Sequence, residues 1–243
     1  MQSLRDMWTK EGPGIAKNAP KKNGLALFVE TFAREWWEMV KLNILFILAS
    51  LLVVTIPAAI AAMARISVTF VEDRNTYLLR DFAEGFVEYF LRATIWGLAF
   101  ALAIGLGIYA IATYAAAAQD NLVLALPLTI ALFATVFILV IACHLVVLMV
   151  MRDMPAHQLL RLAAVASFIR PLPALAALLF VAALWLAHVA FYPVSVFMPA
   201  TLNFSLGMFA VAFGVHRAAV MVLGLSPAAP APREPHAYDA THI

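Results

Sequence analysis

Leu42–Ile66, LNILFILASLLVVTIPAAIAAMARI, constrains this chain more than any other stretch. A helix rises about 1.5 Å per residue, so roughly 20 apolar residues bridge the hydrocarbon of a bilayer. This run is long enough, but Thr55-Ile56-Pro57 interrupts it. Thr55 is placed to cap a new helix, with Pro57 in its first turn, where a missing N–H costs nothing. The helix break at Thr55 and Pro57 therefore sets the topology. A run that crosses once puts its flanks on opposite faces, whereas a run that turns back keeps them on one face.

Composition agrees with a lipid environment. The chain is 65% hydrophobic and 12% charged, against roughly 25% charged residues in a soluble domain. The expected fold class is all-α: a polytopic transmembrane helical bundle of five or six membrane segments with amphipathic surface helices. Three regions are expected. Residues 1–24 read as a flexible cytoplasmic arm, 25–225 as the helical membrane domain, and the Pro/Ala-rich 226–243 as a disordered tail. The arm has no apolar core of a cleavable leader. The single cysteine, Cys143, excludes an intramolecular disulfide and a cysteine zinc cluster.

Residues 25–41 read as an amphipathic helix, with Trp36 and Trp37 suited to the headgroup layer. Residues 72–92 separate Leu78, Phe82, Phe86, Tyr89 and Phe90 from Arg80, Glu84, Glu88 and Arg92, as a helix lying flat on the membrane would. Clear spans follow at 94–118 and 122–150, joined by Gln119-Asp120-Asn121. His157–Ile169 reads as another surface helix, and 172–198 and 203–223 as two more spans. A surface helix thus precedes a hairpin of two spans three times, and Phe32–Glu38 parallels Phe82–Glu88 by residue type.

Lys and Arg lie before the first span, in 74–92, in 152–170 and in the tail, whereas the turns at 119–121 and 199–202 have none. The positive-inside rule then favours six segments with both termini cytoplasmic, the first two forming a hairpin. Five segments, with Leu42–Ile66 crossing once, is the competing topology.

Within the spans, His144, His216 and Arg217 are candidates for an intramembrane polar pocket, because ionisable groups are costly in lipid and are often kept for a function. The plainer reading is tolerance near an interface. Asn43 is suited to bonding across helices, and Arg65 to snorkelling or to pairing with Glu72 or Asp73. Trp36, Trp37, Asp81, Phe82, Phe86 and Tyr89 form a candidate contact surface for a partner or for the membrane. No span carries a carboxylate for proton coupling, and no phosphate-binding loop, zinc-protease or nucleophile-elbow motif is present. No catalytic, cofactor or metal site is expected, nor nucleic-acid binding.

The block 42–66 followed by LLRDFAEGFVEYFLRATIWGL resembles the YesL-like family of bacterial membrane proteins. The resemblance rests on Asn43, Val53, Val54, Thr55, Pro57, Ala58, Ala61, Ala62, Arg80, Asp81, Phe82 and Phe86; Leu52 stands where the family usually has Pro. It implies a role beside carbohydrate uptake. The expected function is then a non-catalytic accessory protein of an ABC importer in the bacterial inner membrane, touching the lipid bilayer and the permease subunits or a second copy of itself. A stand-alone small-solute transporter or channel is the alternative.

Overall fold

The computed structural model describes residues 23–225. Apart from Asn23 and Gly24, the expected arm lies outside the described residues, as does the expected tail. Among the described residues there are seven α-helices: α1 Leu25–Ala49, α2 Ile56–Val71, α3 Leu78–Ala117, α4 Ala125–Met151, α5 Ala156–Ile169, α6 Pro171–Ala190 and α7 Phe204–Val222. No strand occurs among the described residues. Five stretches of the described residues are long and apolar enough to cross a membrane: Val53–Val71, Leu78–Ala117, Leu122–Met151, Pro171–Ala190 and Pro199–Val222.

The break in Leu42–Ile66 is real, and the chain doubles back through it. A β-branched run, Val53-Val54-Thr55-Ile56, has weak helix propensity, and Pro57 cannot donate to a preceding turn. α1 ends at Ala49, a short 3-10 turn occupies Val53–Thr55, and α2 begins at Ile56. Arg34 near the start of α1 reaches Asp73 just past the end of α2 at 3.0 Å, so the two helices are antiparallel. The Thr55 hydroxyl does not cap α2. It lies 2.5 Å from Ala49 O and 2.5 Å from Leu52 O, closing the end of α1 instead. The reason is local: Thr55 itself has helical backbone angles, which point its oxygen away from the N–H groups of α2.

Two expected boundaries disappear. Residues 25–41 continue without a break into the first span, and 78–92 continue into the next as one 40-residue helix, about 60 Å long. Only the third polar segment stays separate: α5 ends at Ile169, and Arg170 links it to Pro171-Leu172-Pro173, which starts α6.

The helices form two layers. α2, α4 and α7 pack against one another at the centre. Around them, α1 sits against α7 and α2, α3 against α2 and α4, and α5 with α6 against α4 and α7. Each outer helix or helix pair leads into the next inner one, so three successive units, two of two helices and one of three, close into a ring. Small residues allow the inner contact: Ala58, Ala59, Ala61, Ala62 and Ala64 of α2 have no exposed surface. Close approach of small residues is the usual source of helix association in lipid, where excluding water contributes little. Gly97 shows how tight it is, because a Cβ there would stand 2.7 Å from Pro57 Cβ.

Asn43, fully buried, ties the first unit to the third. Its Nδ2 donates to Pro199 O and Ala200 O at 2.9 Å each. Its Oδ1 accepts from Phe204 N at 3.0 Å and Ser205 N at 3.1 Å. These backbone groups lie in and just after the π-helical turn Pro199–Asn203, and one amide bonds all four.

Candidate functional site

Charge is segregated along the bundle. Among the described residues, the turns at 50–55, 118–124 and 191–203 carry one charged side chain, Asp120. At the opposite end a cleft of about 560 Å³ opens between the end of α2, the first half of α3 and the end of α4. Arg65, Arg74 and Arg80 face Glu72, Asp81, Glu84 and Glu88 across it, over a floor that includes Ile66, Val68, Val150 and Met151.

Arg65 organises the cleft. Burial of α2 among alanines forces its long side chain outward, and its Cδ crosses Gly85. The guanidinium then meets Glu88 at 2.8 Å and Glu84 at 3.9 Å. The expected partners, Glu72 and Asp73, are engaged elsewhere. Glu72 bonds His216 Nε2 at 3.1 Å and Arg74 Nε at 2.8 Å. The His216 hydrogen bond, helped by the charge of Arg74 and opposed by burial, holds the Glu72 carboxyl below its ordinary range. Arg80 lies 3.7 Å from Glu84, one turn on, and stacks 4.5 Å over the Tyr77 ring. Arg92 leaves its helix to pair with Asp153 and to donate to Met154 O, fastening α3 to the α4–α5 link.

The polar pocket expected from His144, His216 and Arg217 does not assemble. His144 is fully buried, with Nδ1 2.9 Å from Val140 O and 3.1 Å from Ser167 Oγ. Because a carbonyl oxygen only accepts, that nitrogen carries the proton. His216 turns to Glu72, and Arg217, one residue and about 100° further round the helix, is exposed. None of the three lines the cleft.

The expected contact surface divides. Trp36 and Trp37 remain on the surface, edge to face at 5.4 Å. Phe82 is buried against the packed side chains of α1, α2 and α7 with Phe86 beside it, and Tyr89 packs inward against a second group that includes Leu145 and Leu148 of α4. Asp81 accepts from Tyr77 N at 2.9 Å and so caps α3. The outward face of this segment is instead Leu79, Val87 and Leu91. The aromatic face meets α2 because α3 lies in the α2–α4 groove, which a reading of α3 alone does not show. Cross-helix partners such as Glu88 for Arg65 and Asp153 for Arg92 escaped the sequence reading for the same reason.

Chemically the cleft is a set of matched ion pairs. No group of three or more His, Cys, Asp or Glu that would hold a metal ion occurs among the described residues. What the cleft offers is exchangeable charge on an apolar floor, suited to binding.

A family model described as "Protein of unknown function, DUF624" matches residues 39–111, and so covers Arg65, Glu72, Arg74, Arg80, Asp81, Glu84 and Glu88 of the cleft. Comparisons with curated proteins and with solved structures returned no match.

Proposed function

We propose that this chain is a non-catalytic accessory protein of a solute importer, held in the bacterial inner membrane with its charged end in the cytoplasm. One observation carries the reading: the polar cleft is confined to the charged end, while the interior beyond it is close-packed. Ala61, Val140, Leu145, Leu148, Ala212 and Val215 fill the centre where a facilitator needs a polar path. The outer faces offer a broad apolar flank, including Trp36, Trp37, Leu98, Leu102 and Leu106, for packing against a permease. The resemblance of residues 25–100 to YesL-like proteins, within which the DUF624 match largely falls, favours an importer of the ABC type and a carbohydrate as its cargo. The cleft, with three arginines opposite four carboxylates, is suited to a partner's mixed-charge surface near the membrane.

Native mass spectrometry of the protein extracted from its own membrane in mild detergent tests the reading. Co-purification with a permease and its ATPase is the expected result. A solitary chain or homo-oligomer across several mild detergents, together with solute flux in liposomes holding this protein alone, overturns it in favour of a stand-alone transporter.

A further inference from the structure

We propose that the α1–α2 hairpin is re-entrant: it enters the hydrocarbon from the charged side and turns back inside it, with Leu51–Val54 among the acyl chains. Three observations carry this.

The first is depth. Pro57, at the head of α2, lies against Gly97 of α3. α3 runs on from there to Ala117, about 20 residues or roughly 30 Å, the thickness of the hydrocarbon layer. α4 returns alongside, with Thr135 against Gly107. The α3–α4 hairpin therefore extends far beyond the tip of α1–α2. An 18-residue window of α3 has no buried residue, and Leu98, Leu102, Leu106, Ile108 and Tyr109 are each more than half exposed. A bilayer centred on α1–α2 would leave that surface in water and would sink Arg65, Glu84 and Glu88 into lipid. A bilayer centred on the upper half of α3–α4 does neither.

The second is the chemistry of the two tips. The α3–α4 hairpin closes through Gln119-Asp120-Asn121, with Asn121 Oδ1 accepting from Val123 N. That tip is built for water. The α1–α2 tip is Leu51-Leu52-Val53-Val54, between 66% and 78% exposed and without a charge. Although Val53–Val71 is long enough to cross alone, its leading end presents only hydrocarbon.

The third is the backbone of the turn. A turn in lipid costs least where its polar groups find partners within the chain; Ser50 Oγ, buried without one, is an exception. Here Ser50 N donates to Phe46 O at 2.9 Å and Thr55 N to Leu52 O at 2.9 Å. The Thr55 hydroxyl shares its one proton between Ala49 O and Leu52 O. The side chain that failed to cap α2 thus serves the carbonyls that water would otherwise serve.

The inference rests on the chain being membrane-embedded, and it is tested in liposomes with the full chain. In a C143A background, V53C, L51C and N121C are each labelled with an environment-sensitive fluorophore. The expected result is quenching at positions 51 and 53 by lipids spin-labelled deep in the acyl chain, with iodide quenching several-fold weaker than at position 121. Strong iodide quenching at both 51 and 53 overturns the proposal: from outside the vesicle or from its lumen, it means that the tip emerges into water. Failure of the membrane reading is distinguishable, because alkaline carbonate would then strip the protein from the vesicles.

Discussion

Arg65 of α2 lies 2.8 Å from Glu88 of α3, 23 residues away, and this pair joins the two helices that line most of the charged cleft. Both groups keep contact with solvent, so the pair is worth about 1 kcal/mol or less. Its coupling is nonetheless measurable. A double-mutant cycle with R65A and E88A, read by thermal unfolding in detergent, is expected to show a favourable interaction of about 0.5–1 kcal/mol. A coupling of zero would mean that the two charges act independently. R65A alone leaves Glu88 without its cation and Glu84 with Arg80 only, and its melting point is expected to rise with added salt.

Asn43 has no isosteric apolar substitute. N43L removes two donated and two accepted hydrogen bonds between a buried side chain and the backbone around Pro199–Ser205. Each buried group left unpaired costs about 1–3 kcal/mol, so N43L is expected to be among the most destabilising single changes in the chain. N43D keeps the acceptors and loses the donors. It is expected to be destabilising as well, because it sets a carboxylate against Pro199 O and Ala200 O. Melting points of the two variants check the ranking against wild type.

Two glycines of α3 make a matched pair for testing the packing. A Cβ at position 97 meets Pro57 at 2.7 Å, whereas nothing lies within 4 Å of one at position 105. G97A is expected to cost about 1–3 kcal/mol through overpacking. G105A is expected to be neutral or stabilising by up to about 1 kcal/mol, since alanine is the better helix former. Equal melting points for the two would contradict the Pro57 contact.

Glu72 predicts the acid limb of stability. Its carboxyl is held below the ordinary glutamate value, first by the His216 hydrogen bond and then by Arg74. A lowered folded-state value means stability that is present above the unfolded value, about 4.3, and lost as pH falls through the folded one. E72Q is therefore expected to flatten the loss of stability below about pH 4.3 and to be less stable than wild type at neutral pH. Parallel acid unfolding curves for the two proteins would remove Glu72 from that role.

Much of the fold was legible in the chain. The lipid environment, the helices and the break at Thr55-Ile56-Pro57 follow from local properties: summed hydropathy, β-branching and the missing N–H of proline. The positive-inside count also favoured the hairpin that Arg34 and Asp73 close. Asn43 read correctly as a group that bonds across helices, because an uncharged amide in an apolar run has few other ways to be satisfied.

The candidate site was far less legible. The three ionisable residues singled out in the spans, His144, His216 and Arg217, went to separate surroundings. Arg65 was read as snorkelling or as pairing with Glu72 or Asp73, whereas it pairs with Glu84 and Glu88 of α3. Phe82, Phe86 and Tyr89 shared a face as expected, but that face meets α2 and the packed interior.

What the sequence determined by itself is how apolar each segment is and where the helical backbone must stop, since both depend on residues a few positions apart. What only the tertiary structure decided is which way each helix is turned and how deep each hairpin reaches. One residue changes direction by about 100° on a helix, so a small rotation exchanges the lipid face for the protein face at no cost in hydropathy. The contact of Pro57 with Gly97 and the pairing of Arg65 with Glu88 fix those rotations, and both join residues on different helices.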